Sequence, residues 1–532
     1  MTLAAILFAG GAGAAIAAWG LSREARIARY ATIAGSLALF VVLVLALGMT
    51  APHITEAGIP PNDGWFHGTI VATGYLRLTI ALFALDAVQL VGIAWLMGGI
   101  PALRGLLPAT LAAVAGSTVA LGSTDLSLGV AAAGATGLVS LAVLHAMGRT
   151  EDVAVGAREL RVVLGASVLV FGGVAVAPLA GALALAGGNA GVATGGTPSA
   201  GEPGAVLGLV AIAITGGIAA RFGAIPFHFR VPRLVDAVPP MALPLLLVWL
   251  PLPIGVVGLA ALDALVGPLA LPLYGEQSLL VAIAIVTMAA AALAAYMADD
   301  IRHAIGYLVV ADGGLLLVGF AALDPAAWGP TRIWMVALAA TKTALAAWGA
   351  VTEARFGTRS IADLRGWIRH APILAAGFAL TVAATFGVPG WIVFTARLDL
   401  ARIINNGQWT IPLTLAALLT LPVYLRILAV GLGRRSSHVE QAASERIPQR
   451  RRAPAAIATA DGTDAEAAPE VARPTGSPLW ILINALRRDR TELISAGVLA
   501  LAVIATLTAW GALDLGAASA EPAPIVTGPA TD

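Results

Sequence analysis

Apolar stretches of about twenty residues recur along almost the whole chain, parted by short polar or arginine-bearing connections. A helix crossing the ~30 Å hydrocarbon core of a bilayer needs about twenty such residues. Stretches near 2–20, 31–49, 78–100, 105–122, 126–147, 160–187, 204–227, 240–262, 277–297, 301–322, 333–352, 372–404, 411–432 and 492–513 fit that length. They predict an all-α, polytopic membrane protein with about fourteen transmembrane helices. The 372–404 stretch is long for one crossing and carries Pro389 in its middle, so it predicts one broken, tilted helix. Two polar stretches stand out. Residues 188–204 are rich in Gly, Ser and Pro and predict a flexible outside loop. Residues 433–478 are polar, rich in Ala and Pro and partly basic (Arg450, Arg451, Arg452), and predict a disordered cytoplasmic linker.

The arginines give these spans a direction. Arg23, Arg26 and Arg29 follow the first span and no positive region precedes it, which predicts an uncleaved first helix with its N-terminus outside. Alternating from there, the inside connections carry Arg104; Arg149, Arg158 and Arg161; Arg230 and Arg233; Arg302; and Arg355, Arg359, Arg365 and Arg369. Ten more arginines lie between Arg434 and Arg490, whereas the outside connections and helix ends carry only Arg77, Arg332 and Arg402. A wrongly counted span in the middle would scramble this alternation.

Composition agrees. Of 532 residues, 59% are hydrophobic and 11% charged, too few charges to cover soluble domains. Thirty-one basic residues against thirty acidic ones point to no polyanionic partner such as nucleic acid. There is no cysteine, which excludes disulfides, thiolate metal sites and Cys nucleophiles. Lys342 is the only lysine.

Three places break the apolar pattern. In Arg221-Phe222-Gly223-Ala224-Ile225-Pro226-Phe227-His228, an arginine sits inside an apolar run and a proline breaks it. Such an arginine costs about 2.5–3.5 kcal/mol on insertion scales, so it implies a partner or a hydrated cavity, or else a group that satisfies carbonyls freed by the proline. In Phe386-Gly387-Val388-Pro389-Gly390-Trp391 the same kind of break recurs, with Arg397 beyond it. Asp399 and Arg402 follow three residues apart and can pair on one helix face. Broken helices at corresponding places point to internal inverted repeats and to an ion or substrate pathway. The third place is Lys342, near the middle of its span. Unlike arginine, lysine can shed its proton when buried, so Lys342 is the best candidate proton carrier, with a fixed counter-ion as the plainer alternative. Asp312 is also midspan and can pair with a cation, Asp86 lies nearer a helix end, and His145 reads as interfacial. Asp299-Asp300 has no second acidic motif and so does not support a metal-diphosphate site.

At these breaks the chain resembles the antiporter-like membrane subunits of respiratory complex I (subunits L, M and N), which are similar to subunits of Mrp-type sodium/proton antiporters and membrane-bound hydrogenases. The stretches that carry the resemblance are RFGAIPFHFRVPRLVDAVPP (221–240), IRHAIGYLVVADGG (301–314), TKTALAAWGAVTEARFGTRSIADLRG (341–366) and GVPGWIVFTAR (387–397), in the family's order. The resemblance spans roughly residues 75–432 and implies proton or cation movement through midplane charges and water. It places Arg221 and Arg397 on family lysines, Lys342 on a matching lysine, His228 on the histidine of the Pro-Phe-His motif, and Asp312 where many members have histidine. It implies other membrane subunits as partners, a bacterial or archaeal-type cell membrane, and no redox cofactor or metal in this chain.

The chain departs from that pattern at three points. The family's fifth-span glutamate is missing, since 126–150 holds no carboxylate and Gly134 lies near its place. Pro251 falls where the eighth span should carry a lysine. Arginine does not release protons, so Arg221 and Arg397 act as fixed charges. The expected organisation is N-terminal helices (1–104), a first repeat (105–262), a second repeat (277–432), the linker (433–478) and a last helix with its tail (479–532). The expected function is a proton-conducting subunit of a complex I-type assembly. Its alternatives are a degenerate structural paralogue, an Mrp-type antiporter subunit and, least supported, a membrane enzyme acting on lipid-linked substrates.

Overall fold

A computed structural model describes residues 3–21, 25–49, 74–96, 105–122, 126–147, 153–194, 202–269, 273–389 and 391–433. Helices α1 (Leu3–Leu21), α2 (Ala25–Met49), α3 (Gly74–Leu96), α4 (Leu106–Gly122) and α5 (Leu126–Met147) come first. They are followed by α6 (Val153–Thr194), α7 (Glu202–Arg221), the short α8 (Arg230–Ala237) and α9 (Leu252–Leu269). Next are α10 (Tyr274–Met297), α11 (Ile301–Ala321), α12 (Trp328–Phe356) and the one-turn α13 (Trp367–His370). The last described elements are α14 (Pro372–Phe386), α15 (Ile392–Ile403), α16 (Thr410–Leu418) and α17 (Leu421–Leu432). The expected span at 492–513 and the 433–478 linker lie outside the described residues, apart from Gly433.

Burial separates an inner group of helices from an outer one. The 245–262 segment and α11 are 94% buried over their most apolar windows, against 28% for α2 and 33% for α6. The outer helices expose Leu45, Val168, Leu209, Leu293 and Ile411, as lipid-facing surfaces do. Among the described residues, seven helical segments are long and apolar enough to cross a membrane, and shorter apolar helices lie among them. The protein is a polytopic, all-helical membrane protein.

Several helices differ from their sequence-based outlines. Helix α6 runs through Thr194, so the Gly-rich stretch from 188 begins as helix and not as loop. The 240–262 span is not a regular helix. Leu245–Trp249 forms a π turn closed by Leu250 N–H to the Leu245 carbonyl, and α9 starts only after it. Pro244, Pro251 and Pro253 have no N–H to donate, so the regular ladder cannot run through them.

The two predicted breaks are present. Helix α7 stops at Arg221, Gly223 takes a left-handed φ of +71°, and the Ile225–Pro226 bond is cis. Helix α14 stops at Phe386 and Gly387 takes φ +73°. These φ values suit glycine, so the glycines end the two half-helices. Pro226 and Pro389 then keep the chain out of helix before α8 and α15 begin.

The arginine-bearing connection after α10 is stapled by charge. Asp300 caps α11 by accepting from the Arg302 N–H at 2.6 Å, and Asp299 accepts from Arg426 at 3.1 Å. Asp300 thus serves the fold as a helix cap, while the Asp299 side chain stays 88% exposed beside Arg426. Glu353 bridges Arg302 and Arg359, at 2.8 Å from Arg302 Nε and 3.1 Å from Arg359 Nε.

Candidate functional site

Where α6, α7 and α8 meet, the interior holds a carboxylate between two guanidiniums. Arg221, the last residue of α7, donates from Nη1 to Glu159 Oε1 at 3.1 Å. Arg230, the first residue of α8, donates from Nη1 to Glu159 Oε1 at 3.0 Å and to Oε2 at 2.9 Å. Its Nη2 donates to the Arg221 backbone carbonyl, one of the carbonyls stranded where α7 ends. All three side chains are buried, at 1% exposure for Arg221 and Glu159 and 3% for Arg230. The cluster carries two positive charges and one negative. Arg221 Nη2 and Arg230 Nε make no hydrogen bond. Gly137 of α5 leaves room for the Arg221 guanidinium, since a Cβ there would lie 3.4 Å from Nη2.

A second cluster lies where α11, α12, α15 and α17 meet. Lys342 of α12, fully buried, forms an ion pair with Asp312 of α11. Its Nζ also donates to the Tyr424 hydroxyl of α17 at 3.0 Å. Arg397 of α15 donates to the Thr385 carbonyl at the end of α14 (2.6 Å) and to the Ala417 carbonyl (3.3 Å). Its guanidinium stacks over Trp334 at 4.9 Å and Phe386 at 5.1 Å, and it lies within electrostatic range of Asp312. The Trp334 indole donates to the Asp312 carbonyl at 3.0 Å. Tyr424 is set by Phe378 and Phe386, with ring centroids 6.1 and 5.6 Å away.

Apolar packing stands between the clusters. Phe222, next to Arg221, is buried, and a Cβ on Gly313, next to Asp312, would lie 3.6 Å from the Phe222 Cβ. On the side of the 245–262 segment, Trp249 donates its indole N–H to Thr343, the neighbour of Lys342, at 3.0 Å. The π turn there presents only Leu, Val and Trp.

The sequence-derived candidates thus separate. Asp312, Lys342 and Arg397 come together, and Arg221 belongs to the other cluster. His228 lies half-buried in the turn after Pro226, its Nδ1 without a hydrogen bond. Asp86 is buried and accepts from Thr110 at 3.2 Å. Asp399 and Arg402 are exposed on α15, and the described contacts form no ion pair between them. Exposed side chains near the end of a helix gain little from such a pair.

Three residues of the clusters were not anticipated. Glu159 lies between the connection arginines Arg158 and Arg161, just ahead of the span predicted from 160, and is not singled out in the sequence reading. Its register was the available signal: Glu159, Val163, Ala166, Val170 and Val174 are all buried, at helical spacing along α6. Arg230 was grouped with Arg233, yet it is buried whereas Arg233 is exposed. Tyr424 carried no signal beyond a hydroxyl inside an apolar span. Arg332, placed among the outside helix ends, is likewise buried.

Comparison with known proteins decides the family. Residues 123–420, more than half of the chain, match the family described as NADH:quinone oxidoreductase/Mrp antiporter, TM. The chain belongs to the NADH:quinone oxidoreductase/Mrp antiporter transmembrane family. Among curated relatives it is similar to NADH-quinone oxidoreductase subunit N of Halorhodospira halophila, 28% identical over 224 residues, covering 40% of this chain and 44% of that one. Subunit N 1 of Sorangium cellulosum is 27% identical over 278 residues, 49% of this chain and 53% of its own. The match spans under half the length of relatives such as subunit N of Ruthia magnifica, 42% of which is covered. In fold, the chain is similar to one in the structure of the Mrp complex from Dietzia sp. DQ12-45-1b, with TM-score 0.62, 17% identity and coverage of 98% and 97% of the two chains. A chain of respiratory complex I from Thermus thermophilus gives TM-score 0.57 at 16% identity over 97% and 99%.

Within this antiporter-type fold the first cluster has an unexpected source of negative charge. Helix α5 offers no carboxylate, and Gly137 rather than Gly134 faces Arg221, while Gly134 faces Ser167. Glu159 of α6 supplies the acid from the next helix.

Proposed function

We propose that this chain is an ion-translocating membrane subunit of a complex I- or Mrp-type assembly, with Lys342 as its proton-exchanging group. The observation that carries this reading is the fully buried Lys342, held by Asp312 and Tyr424 beside the break between α14 and α15. Opposite charge keeps a proton on an ammonium, and in a dry site the proton leaves when that charge withdraws. A shift of α11 against α12, or water entering at the break, would switch Lys342 between these states. Arg397 supplies a fixed positive charge near the same carboxylate and discourages a second cation.

The reading includes two repeats, 105–262 and 277–432, supported by the like form of the two breaks. It includes an N-terminus outside and an arginine-rich cytoplasmic face, supported by the alternation of arginines in the sequence. Redox chemistry, where the assembly performs any, is assigned to partner subunits.

The test is proton uptake into vesicles holding the assembled complex. Lys342→Ala abolishes uptake while the complex still forms, and unchanged uptake sinks the assignment. A second reading, a structural paralogue that does not pump, draws on one observation: Phe222 and the apolar π turn stand where a continuous relay would need polar groups. It predicts that Lys342→Ala leaves the transport of the whole complex intact.

A further inference from the structure

A groove of about 580 Å³ opens on the outer side of the first cluster, between the start of α6 and the turn leading into α8. Arg158, Arg161, Arg230 and Arg233 line it, against the single carboxylate of Glu159. Glu159 is already committed to Arg221 and Arg230, so the exposed Arg158, Arg161 and Arg233 find no acid in the groove. The buried Arg230 keeps an Nε with no hydrogen bond. Farther along, the lining becomes apolar, with Gly165, Val168, Leu169 and Phe229. Val168 is 68% exposed, and the neighbouring Leu164 and Phe171 of α6 are exposed too.

We propose that this groove binds an anionic phospholipid, its phosphate among the arginines and an acyl chain along α6. The order of chemistry fixes the occupant. Arginines at one end and an open apolar surface beyond them match a headgroup joined to a hydrocarbon chain. A free phosphate would use only the first part, and an apolar protein helix would leave the arginines unanswered. The lipid phosphate also offsets the excess positive charge that Arg221 and Arg230 hold around one glutamate.

Native mass spectrometry of the delipidated full chain, titrated with phosphatidylglycerol or with phosphatidylcholine of the same acyl chains, tests this. Phosphatidylglycerol is expected to bind at roughly tenfold lower concentration. The Arg158→Gln/Arg161→Gln/Arg233→Gln variant, changed only at exposed positions, removes that preference. Gly165→Phe fills the groove with the arginines intact, since a Cβ at Gly165 meets nothing within 4 Å, and it weakens the binding of phosphatidylglycerol. Equal binding of the two lipids by the native chain overturns the proposal. So does a preference that survives the triple substitution, or displacement of the lipid by inorganic phosphate alone.

Discussion

Glu159–Arg221 ties α6 to α7, and Asp312–Lys342 ties α11 to α12; each pair joins an acid to a cation on the next helix, beside a helix broken at a left-handed glycine. Both breaks are also sealed alike. Arg230 reaches back from α8 to the Arg221 carbonyl, and Arg397 reaches back from α15 to the Thr385 carbonyl. So the two breaks share one architecture and differ in the cation. The first cluster has only guanidiniums, which stay charged, whereas the second has one ammonium, which can release its proton. Under the proposed function, the charge around Arg221 is fixed and the charge at Lys342 is exchangeable.

The largest effect separates charge from proton exchange at Lys342. Lys342→Arg keeps a cation against Asp312 but removes the releasable proton. Vesicle uptake is expected to fall to background, as in Lys342→Ala, with the chain still folded by circular dichroism. The reciprocal change, Arg221→Lys, should alter uptake by no more than about twofold, because a fixed positive charge is all that position supplies. Uptake that survives Lys342→Arg would erase the distinction between the two halves.

The next effect is on stability. Glu159→Gln leaves two buried guanidiniums with no counter-charge, and breaking such a buried pair costs about 3–5 kcal/mol. Asp312→Asn should cost less, because Lys342 can go neutral whereas Arg221 and Arg230 cannot. Denaturant unfolding of the detergent-solubilised chain reads the difference. The double change Glu159→Gln/Arg230→Gln should recover part of the loss. Equal losses from Glu159→Gln and Asp312→Asn would mean that both clusters are fixed.

How far the sequence foretold this depends on the kind of signal. Hydropathy located the apolar helices among the described residues because lipid imposes one simple requirement along about twenty residues, and the Gly and Pro residues marked both breaks because backbone geometry there is local. Lys342, Asp312 and Arg397 stood out as charges inside apolar runs. Their assembly was not legible, because it depends on how α11, α12, α15 and α17 pack, and no short-range pattern encodes that. Arg230 was hidden for the opposite reason. It sits in a run of polar and proline residues that reads as a connection, and only the return of α8 against α6 buries it. Tyr424 was invisible because an aromatic residue in an apolar span is ordinary.

A smaller effect tests the shared seal. Arg397→Gln removes the charged donor to the Thr385 carbonyl and the stacking on Trp334 and Phe386. Leaving such a carbonyl unsatisfied costs about 1–3 kcal/mol. Backbone amide exchange should rise at the end of α14 ahead of the rest of the helix. Uptake should fall less than in Lys342→Arg, because Lys342, the proposed proton carrier, remains.

The smallest expected effect lies outside both clusters and sets their scale. Glu353 is also held by two arginines, Arg302 and Arg359, yet it is 24% exposed and Arg359 is 48% exposed. On paper this triad matches Arg221–Glu159–Arg230 charge for charge. Water can solvate whatever the pair leaves behind, so Glu353→Gln should cost below about 1 kcal/mol, with that cost shrinking further in high salt. The same Glu→Gln change at Glu159 should be several times larger and less sensitive to salt, because the Glu159 side chain is only 1% exposed. If the two substitutions proved equal in size and salt response, the Glu159 cluster would be hydrated, and the first half would then have a water path of its own beside Arg221.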